Sequence, residues 1–281
     1  VAPFYIAEHQ LTGGTFSTLA SDDAAIVTMT LRKADLDAIK ADVALAVSQD
    51  TTWLRMAPGT ITDMASNAVV AIAHDDALNA GAFTADATPP TLVLFDLSMD
   101  GAAGTATLFL SFSETVDEST LNVTQLTLQS NGSAIAGQSV QLTTGGQHEV
   151  GTQHVTSHTE SNATHITVTI TVVDANRIKE IDALCVSSAS CFLSIGSGLV
   201  RDMYGVPVVA VGSSEAQSVR QFVQDATAPQ LVSFDIDMNS GTLALTFDEI
   251  VNRSTIVIPA ITLQDARTLV NASHTLTGVG N

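Results

Sequence analysis

The chemistry this chain advertises sits in its asparagines and its two cysteines. Asn122-Val-Thr, Asn131-Gly-Ser, Asn162-Ala-Thr, Asn252-Arg-Ser and Asn271-Ala-Ser each read Asn-x-Ser/Thr without an intervening proline. That tripeptide is the acceptor for N-linked sugar. Five of the ten asparagines lie in such sequons. Ser and Thr make up 60/281 residues, about 21%, and composition alone then gives about two sequons. All five fall at predicted turns or strand ends, where sugar is tolerated, so covalent N-glycans are expected. Cys185 and Cys191 stand in Cys-Val-Ser-Ser-Ala-Ser-Cys, close enough for one local disulfide in an oxidising compartment. The alternative is two buried free thiols. A metal would need two more ligands, and no His, Asp or Glu lies between the cysteines or directly beside them.

Other reactive side chains read as structural. There is no Gly-x-Ser-x-Gly elbow, His-Glu-x-x-His, Walker loop or Cys-x-x-Cys. His148, His154, His158 and His165 cluster in a Gln/Thr/His-rich stretch whose counterpart in residues 1–26 holds only His9; this is a variable, solvated loop. Asp96-x-Ser98-x-Asp100-Gly101 opens like a calcium loop, but its twelfth position is Thr107, where a bidentate Glu is required. Asp235-x-Asp237-x-Asn239-Ser240 lacks the glycine as well. Alternate acids on the outer face of a strand, followed by a turn, explain both. Glu114 and Glu249 occupy matching Phe-Ser/Asp-Glu-x-Val elements and read as strand-end carboxylates bound in turns. No catalytic residue, metal set or cofactor is expected, and the chain reads as a non-enzyme.

The composition points the same way. Ten basic residues face 29 acidic ones, for a net charge of −19, and so negative a surface repels nucleic acid. Hydrophobic residues make up 45%, which excludes disorder, yet no run approaches the ~20 apolar residues of a membrane helix. Charged residues are only 14%, against about 25% in an ordinary soluble domain. Few charges with many hydroxyls suit an extracellular β-sheet protein. The chain opens Val1-Ala-Pro-Phe without Met or a signal region, so a mature or internal piece is expected.

What positions these residues is an internal repeat. Asp86-Ala-Thr-Pro-Pro-Thr-Leu-Val-Leu-Phe-Asp-Leu-Ser-Met99 returns as Asp225-Ala-Thr-Ala-Pro-Gln-Leu-Val-Ser-Phe-Asp-Ile-Asp-Met238. The offset is 139, and 27 of the 73 positions from Val27 to Met99 are identical at that offset, 27/73 or about 37%. The match resumes at 135, pairing Leu110-Ser-Phe-Ser-Glu-Thr-Val116 with Leu245-Thr-Phe-Asp-Glu-Ile-Val251. Residues 87–225 form one complete copy; 1–86 are the later part of a preceding copy, and 226–281 the early part of a following one. Period-two alternation predicts strands at 92–99, 105–112, 124–129, 139–143, 164–173, 191–195, 206–211 and 218–223. A helix is predicted over 174–184, capped by Asp174. The fold class is all-β: immunoglobulin-like sandwich repeats, each with one short helix.

The string Asp-x-Thr-x-Pro-x-Leu-x-x-Phe, followed by Phe-(Ser/Asp)-Glu-x-Val and (Leu/Ile)-Thr-Leu-Gln, resembles the Ig-like repeats of mastigoneme-type proteins. Ile178-Lys179 and Val200-Arg-Asp202-Met203-Tyr-Gly205 are similar to that repeat as well, as are Ile39-Lys40 and Ile61-Thr-Asp63-Met64. The similarity covers most of 27–281. It implies a sugar-coated extracellular fibre of Ig-like domains, secreted or on a cell or flagellum surface. The function expected is a structural subunit that self-associates head to tail by completing split domains, by a continuous chain or by strand exchange. The alternatives are an adhesin stalk or the accessory domains of a carbohydrate-active enzyme.

Overall fold

Alternation of apolar and polar side chains builds most of the molecule. A computed structural model describes residues 7–19, 23–101, 104–135, 138–143, 164–268 and 271–278. Within them eighteen strands accompany two α-helices, an all-β chain. No helix among the described residues is long and apolar enough to cross a membrane. The chain divides into two compact units, Val1–Thr227 and Ala228–Asn281. The segments 1–86 and 87–225, set apart by the repeat, thus belong to one unit.

The first segment carries short elements: β1 (Gly14–Thr15), β2 (Thr30–Leu31), α1 (Lys33–Ala41), β3 (Trp53–Leu54) and β4 (Leu78–Asn79). β1 pairs with β2 and β3 with β4. Longer strands follow: β5 (Leu92–Ser98), β6 (Ala106–Phe112), β7 (Val116–Asp117), β8 (Leu126–Gln129), β9 (Ser139–Gln141) and β10 (His165–Ile170). Then come α2 (Val172–Lys179), β11 (Phe192–Ile195), β12 (Arg201–Asp202), β13 (Gln217–Ser218) and β14 (Gln221–Val223). One four-stranded sheet runs β10-β6-β5-β14 and another β13-β11-β8-β9. β10 is the cleanest case of its type: Ile166, Val168 and Ile170 are buried while His165, Thr167 and Thr169 face water. Phe95, Leu97, Leu108 and Leu110 of the first sheet share one core with Leu126, Leu128 and Leu193 of the second.

Three predicted elements differ, each for a local reason. The helix begins at Val172, two residues before the expected start, because the Thr171 hydroxyl accepts the Asp174 N–H and caps it. It ends at Lys179. Asp174 is buried instead, and its Oδ2 accepts the N–H and Oγ1–H of Thr143 at 2.8 and 3.0 Å. At 206–211 only isolated bridges form, Arg201–Pro207 and Ile195–Val211, since Pro207 has no N–H to give to a ladder. The predicted strand at 218–223 is split. Its first residues pair with β11, its last pair in parallel with β5, and the chain changes sheets at Val219-Arg220.

The second unit holds β15 (Leu231–Asp237), β16 (Thr242–Phe247), β17 (Thr262–Gln264) and β18 (Ser273–Thr275), paired as β15-β16 and β17-β18. β15 pairs with β16 as β5 does with β6, and a register shift at Leu231/Ser233 repeats the one at Leu92/Leu94. Burial does not repeat. Phe95, Leu97 and Met99 are 0%, 1% and 4% exposed, whereas Phe234, Ile236 and Met238 are 52%, 46% and 82% exposed. In residues 7–86, Val27, Met29, Leu54 and Ile61 are likewise exposed, while Ile166, Val168, Leu193 and Val200, 139 positions on, are buried.

Candidate functional site

Four of the five predicted acceptor asparagines lie among the described residues, all exposed: Asn122, Asn131, Asn252 and Asn271. Asn162 lies outside the described residues. Three of them close an Asx turn onto their own sequon. Asn122 Oδ1 accepts the Thr124 N–H at 3.2 Å and its hydroxyl at 2.7 Å. Asn252 Oδ1 accepts the same pair from Ser254 at 3.0 and 2.7 Å, and Asn131 Oδ1 accepts the Ser133 N–H at 3.2 Å. Asn122 and Asn252 thereby cap the 3₁₀ turns Val123–Gln125 and Arg253–Thr255. Capping alone selects Asn or Asp two residues before Ser or Thr: Asp117 does the same with Ser119. What Asn adds to the cap is an amide nitrogen, the atom that carries N-linked sugar. Asn271 donates its N–H to Asp265 Oδ1, at 3.1 Å, in the β17–β18 connection.

Cys185 and Cys191 are bonded to each other, with S–S 2.08 Å. Cys185 has φ +47°, and Ala46, 139 residues earlier, has φ +53°. The Cys185 N–H donates to Ser190 O at 2.8 Å and the Ala46 N–H to Thr51 O at 3.1 Å. Reciprocal side-chain caps, Ser187 with Ser190 and Ser48 with Thr51, fix both turns. Ala46 and Thr52 therefore follow the same backbone path with no bridge.

The acidic side chains of these turns bond within the chain. Asp96 Oδ1 accepts from Arg220 Nε at 2.8 Å and from the Gln221 N–H at 3.0 Å, tying β5 to β14. Asp100 Oδ1 accepts the Thr227 hydroxyl at 2.7 Å. Asp237 accepts the Asn239 and Ser240 N–H groups at 2.8 and 3.2 Å, a turn of its own. His165 packs its ring against Phe109 at 5.2 Å. His9 meets Asp35 at 2.9 Å, and His148, His154 and His158 lie outside the described residues.

A cluster the sequence reading missed surrounds Glu114, where the end of α1 meets the turn after β6. Lys40 Nζ donates to Glu114 Oε2 at 2.6 Å and makes an ion contact of 2.6 Å with Asp86 Oδ2. The Thr115 hydroxyl donates to Asp37 O at 3.0 Å, and the Tyr204 hydroxyl to Ala46 O at 2.9 Å. These contacts bind 1–86 to 87–225. Asp202 completes the group: carboxylate oxygens of Asp86, Glu114 and Asp202 all lie within 4.8 Å of one another. Asp202 Oδ1 accepts the N–H groups of Tyr204 and Val206 at 2.9 and 2.7 Å. Its Oδ2 is buried and has no hydrogen-bond partner.

Burial pushes the Glu114 carboxyl up; Lys40 opposes and the Asp86 charge adds to the rise. Burial also works against charged Lys40 and Asp86. Burial is the largest single effect on each, but contacts with Asp86 and Glu114 together still raise Lys40, and contacts with Lys40, the Thr88 N–H and Glu114 together still lower Asp86. The Tyr204 hydroxyl is raised by burial and then by the Asp86 charge. Repetition was the available signal, since Lys40 and Lys179, Asp86 and Asp225, and Asp63 and Asp202 each stand 139 apart. Comparison with protein-family models, curated proteins and solved structures finds no match.

Proposed function

We propose that this chain is a structural segment of an extracellular, glycosylated filament built of immunoglobulin-like sandwich repeats, in which incomplete repeats are completed head to tail. The observation that carries this reading is the change in burial between equivalent positions. Side chains that form the core of 87–225 stand in water at the matching positions of 228–281 and 7–86. Exposed apolar side chains in such number within one segment support an interaction face there. Each incomplete part has what the other lacks: 228–281 carries early strands and 7–86 carries later ones. A contact between unlike ends does not close on itself, and it propagates along an axis. Two four-stranded sheets around one core support the sandwich reading, and exposed sequons support the sugar coat. The same features support a scaffold role.

Negative-stain microscopy of the secreted material tests this. Long fibres of uniform width are expected. Recombinant chain carrying Phe234→Asp and Ile236→Asp is expected to stay monomeric by light scattering where the unmodified chain associates. Dispersed short rods in the native material, or association untouched by those substitutions, overturn the reading.

A further inference from the structure

Three carboxylates and one ammonium meet where α1 packs on the turn after β6, an imbalance of two negative charges in a largely buried place. Lys40 satisfies one side of the group. On the other, the residue Asp202 is only 2% exposed; one of its carboxylate oxygens lies within 4.8 Å of oxygens of Asp86 and Glu114, and its buried Oδ2 has no donor. A buried carboxylate oxygen without a partner is strongly unfavourable, and more so beside like charge. Every other polar atom of Asp202 is committed: Oδ1 holds the turn through Tyr204 and Val206.

We propose that Asp86, Glu114 and Asp202 form a binding site for a divalent cation of the calcium type. The donors are hard oxygens, which suit Ca²⁺ or Mg²⁺ over softer metals. The three oxygens lie within 4.8 Å of one another, close enough to share one Ca²⁺ at ~2.4 Å from each, whereas Mg²⁺ keeps several waters and is seldom held by a set of protein carboxylates alone. One such ion brings the group, Lys40 included, to neutrality. The parts recur in the sequence: two of the three lysines are Lys40 and Lys179, 139 apart, and Glu114 returns as Glu249. Each of these lysines holds its linker aspartate, Lys40–Asp86 at 2.6 Å and Lys179–Asp225 at 2.7 Å. The site stands within residues 1–227 and does not depend on the filament reading.

The test is calorimetry and thermal melting of the whole chain, stripped with a chelator and titrated with calcium chloride or magnesium chloride alone. Calcium is expected to bind and raise Tm, with magnesium much weaker. Asp202→Asn keeps an oxygen for the turn and should lose the response, as should Glu114→Gln. Asp100→Asn should retain it. Lys40→Gln removes the competing ammonium and should shift half-saturation to lower calcium. Terbium emission sensitised by Tyr204 and lost in Tyr204→Phe gives a readout independent of stability. The proposal is overturned if neither the natural chain nor Lys40→Gln responds to calcium, or if Asp202→Asn and Glu114→Gln respond as the natural chain does.

Discussion

At single residues, one geometry often serves two ends, and the variants must separate them. Asn252 occupies the place of Asp117 in an otherwise matching turn, so the cap needs only its oxygen. Glycopeptide mass spectrometry of the protein from its native source should find sugar on most of Asn122, Asn131, Asn162, Asn252 and Asn271, where it would screen exposed sheet edges from lateral pairing. Occupancy at fewer than two would leave capping as the whole explanation. The disulfide can be separated in the same way. Because Ala46 and Thr52 trace the Cys185–Cys191 path unbridged, the bond acts on the unfolded chain and does not shape the turn. Cys185→Ala with Cys191→Thr should cost about 2 kcal/mol, the loop-entropy value for so small a ring. Urea unfolding should show a lower midpoint with unchanged circular dichroism of the folded state. An altered folded-state spectrum would mean that the bridge imposes the conformation.

At the scale of elements, α1 and α2 each bury an aspartate that grips the strand or loop arriving ahead of them. Asp35 accepts the Thr12 N–H at 3.1 and 3.0 Å, the Thr12 hydroxyl at 2.9 Å and the Gly13 N–H at 3.2 Å. Asp174 takes Thr143 in the same manner. His9 first, then Thr12 and Gly13, bring the Asp35 carboxyl down from 3.8 to about 2 against the effect of burial. A depressed folded-state pKa contributes stability that is complete above pH 4 and fades as pH falls towards 2. The gap in urea midpoint between the natural chain and Asp35→Asn should therefore narrow across that window; a constant gap would refute the assignment. This grip was not legible in the sequence. Gln10-Leu-Thr12 and Gln141-Leu-Thr143 stand 131 apart while the aspartates stand 139 apart, so a difference in the length of the intervening sequence breaks the register that exposed the rest. β10 was legible because both its faces obey one period. The helix start was not, because Asp174 looks like a cap until Thr171 is seen to supply it. The junction cluster joins residues up to 162 positions apart, Lys40 to Asp202, and only packing brings them together.

For the molecule as a whole, apolar side chains stand exposed in both 7–86 and 228–281, and the head-to-tail assembly proposed above would have a direction. In the proposed filament the chain would also be pulled, and there the pairing of β14 with β5 would have a mechanical meaning. β5 opens the complete copy and β14 closes it, and they lie side by side in parallel, Gln221 to Asp96, Phe222 to Leu97 and Val223 to Ser98. Tension enters at the start of one strand and leaves at the end of the other, so it runs along both. The bonds from Arg220 N–H to Phe95 O and from Met99 N–H to Val223 O, 2.9 and 2.8 Å, are then strained together in shear and cannot be unzipped one at a time. Single-molecule stretching should find that Arg220→Pro, which removes the N–H bonded to Phe95 O, lowers the rupture force far more than Gln141→Pro in β9, a strand outside the line of pull. Equal losses would place the resistance elsewhere. With the entry and exit strands clasped, the strands between them would be shielded from stretching until that clasp gives way.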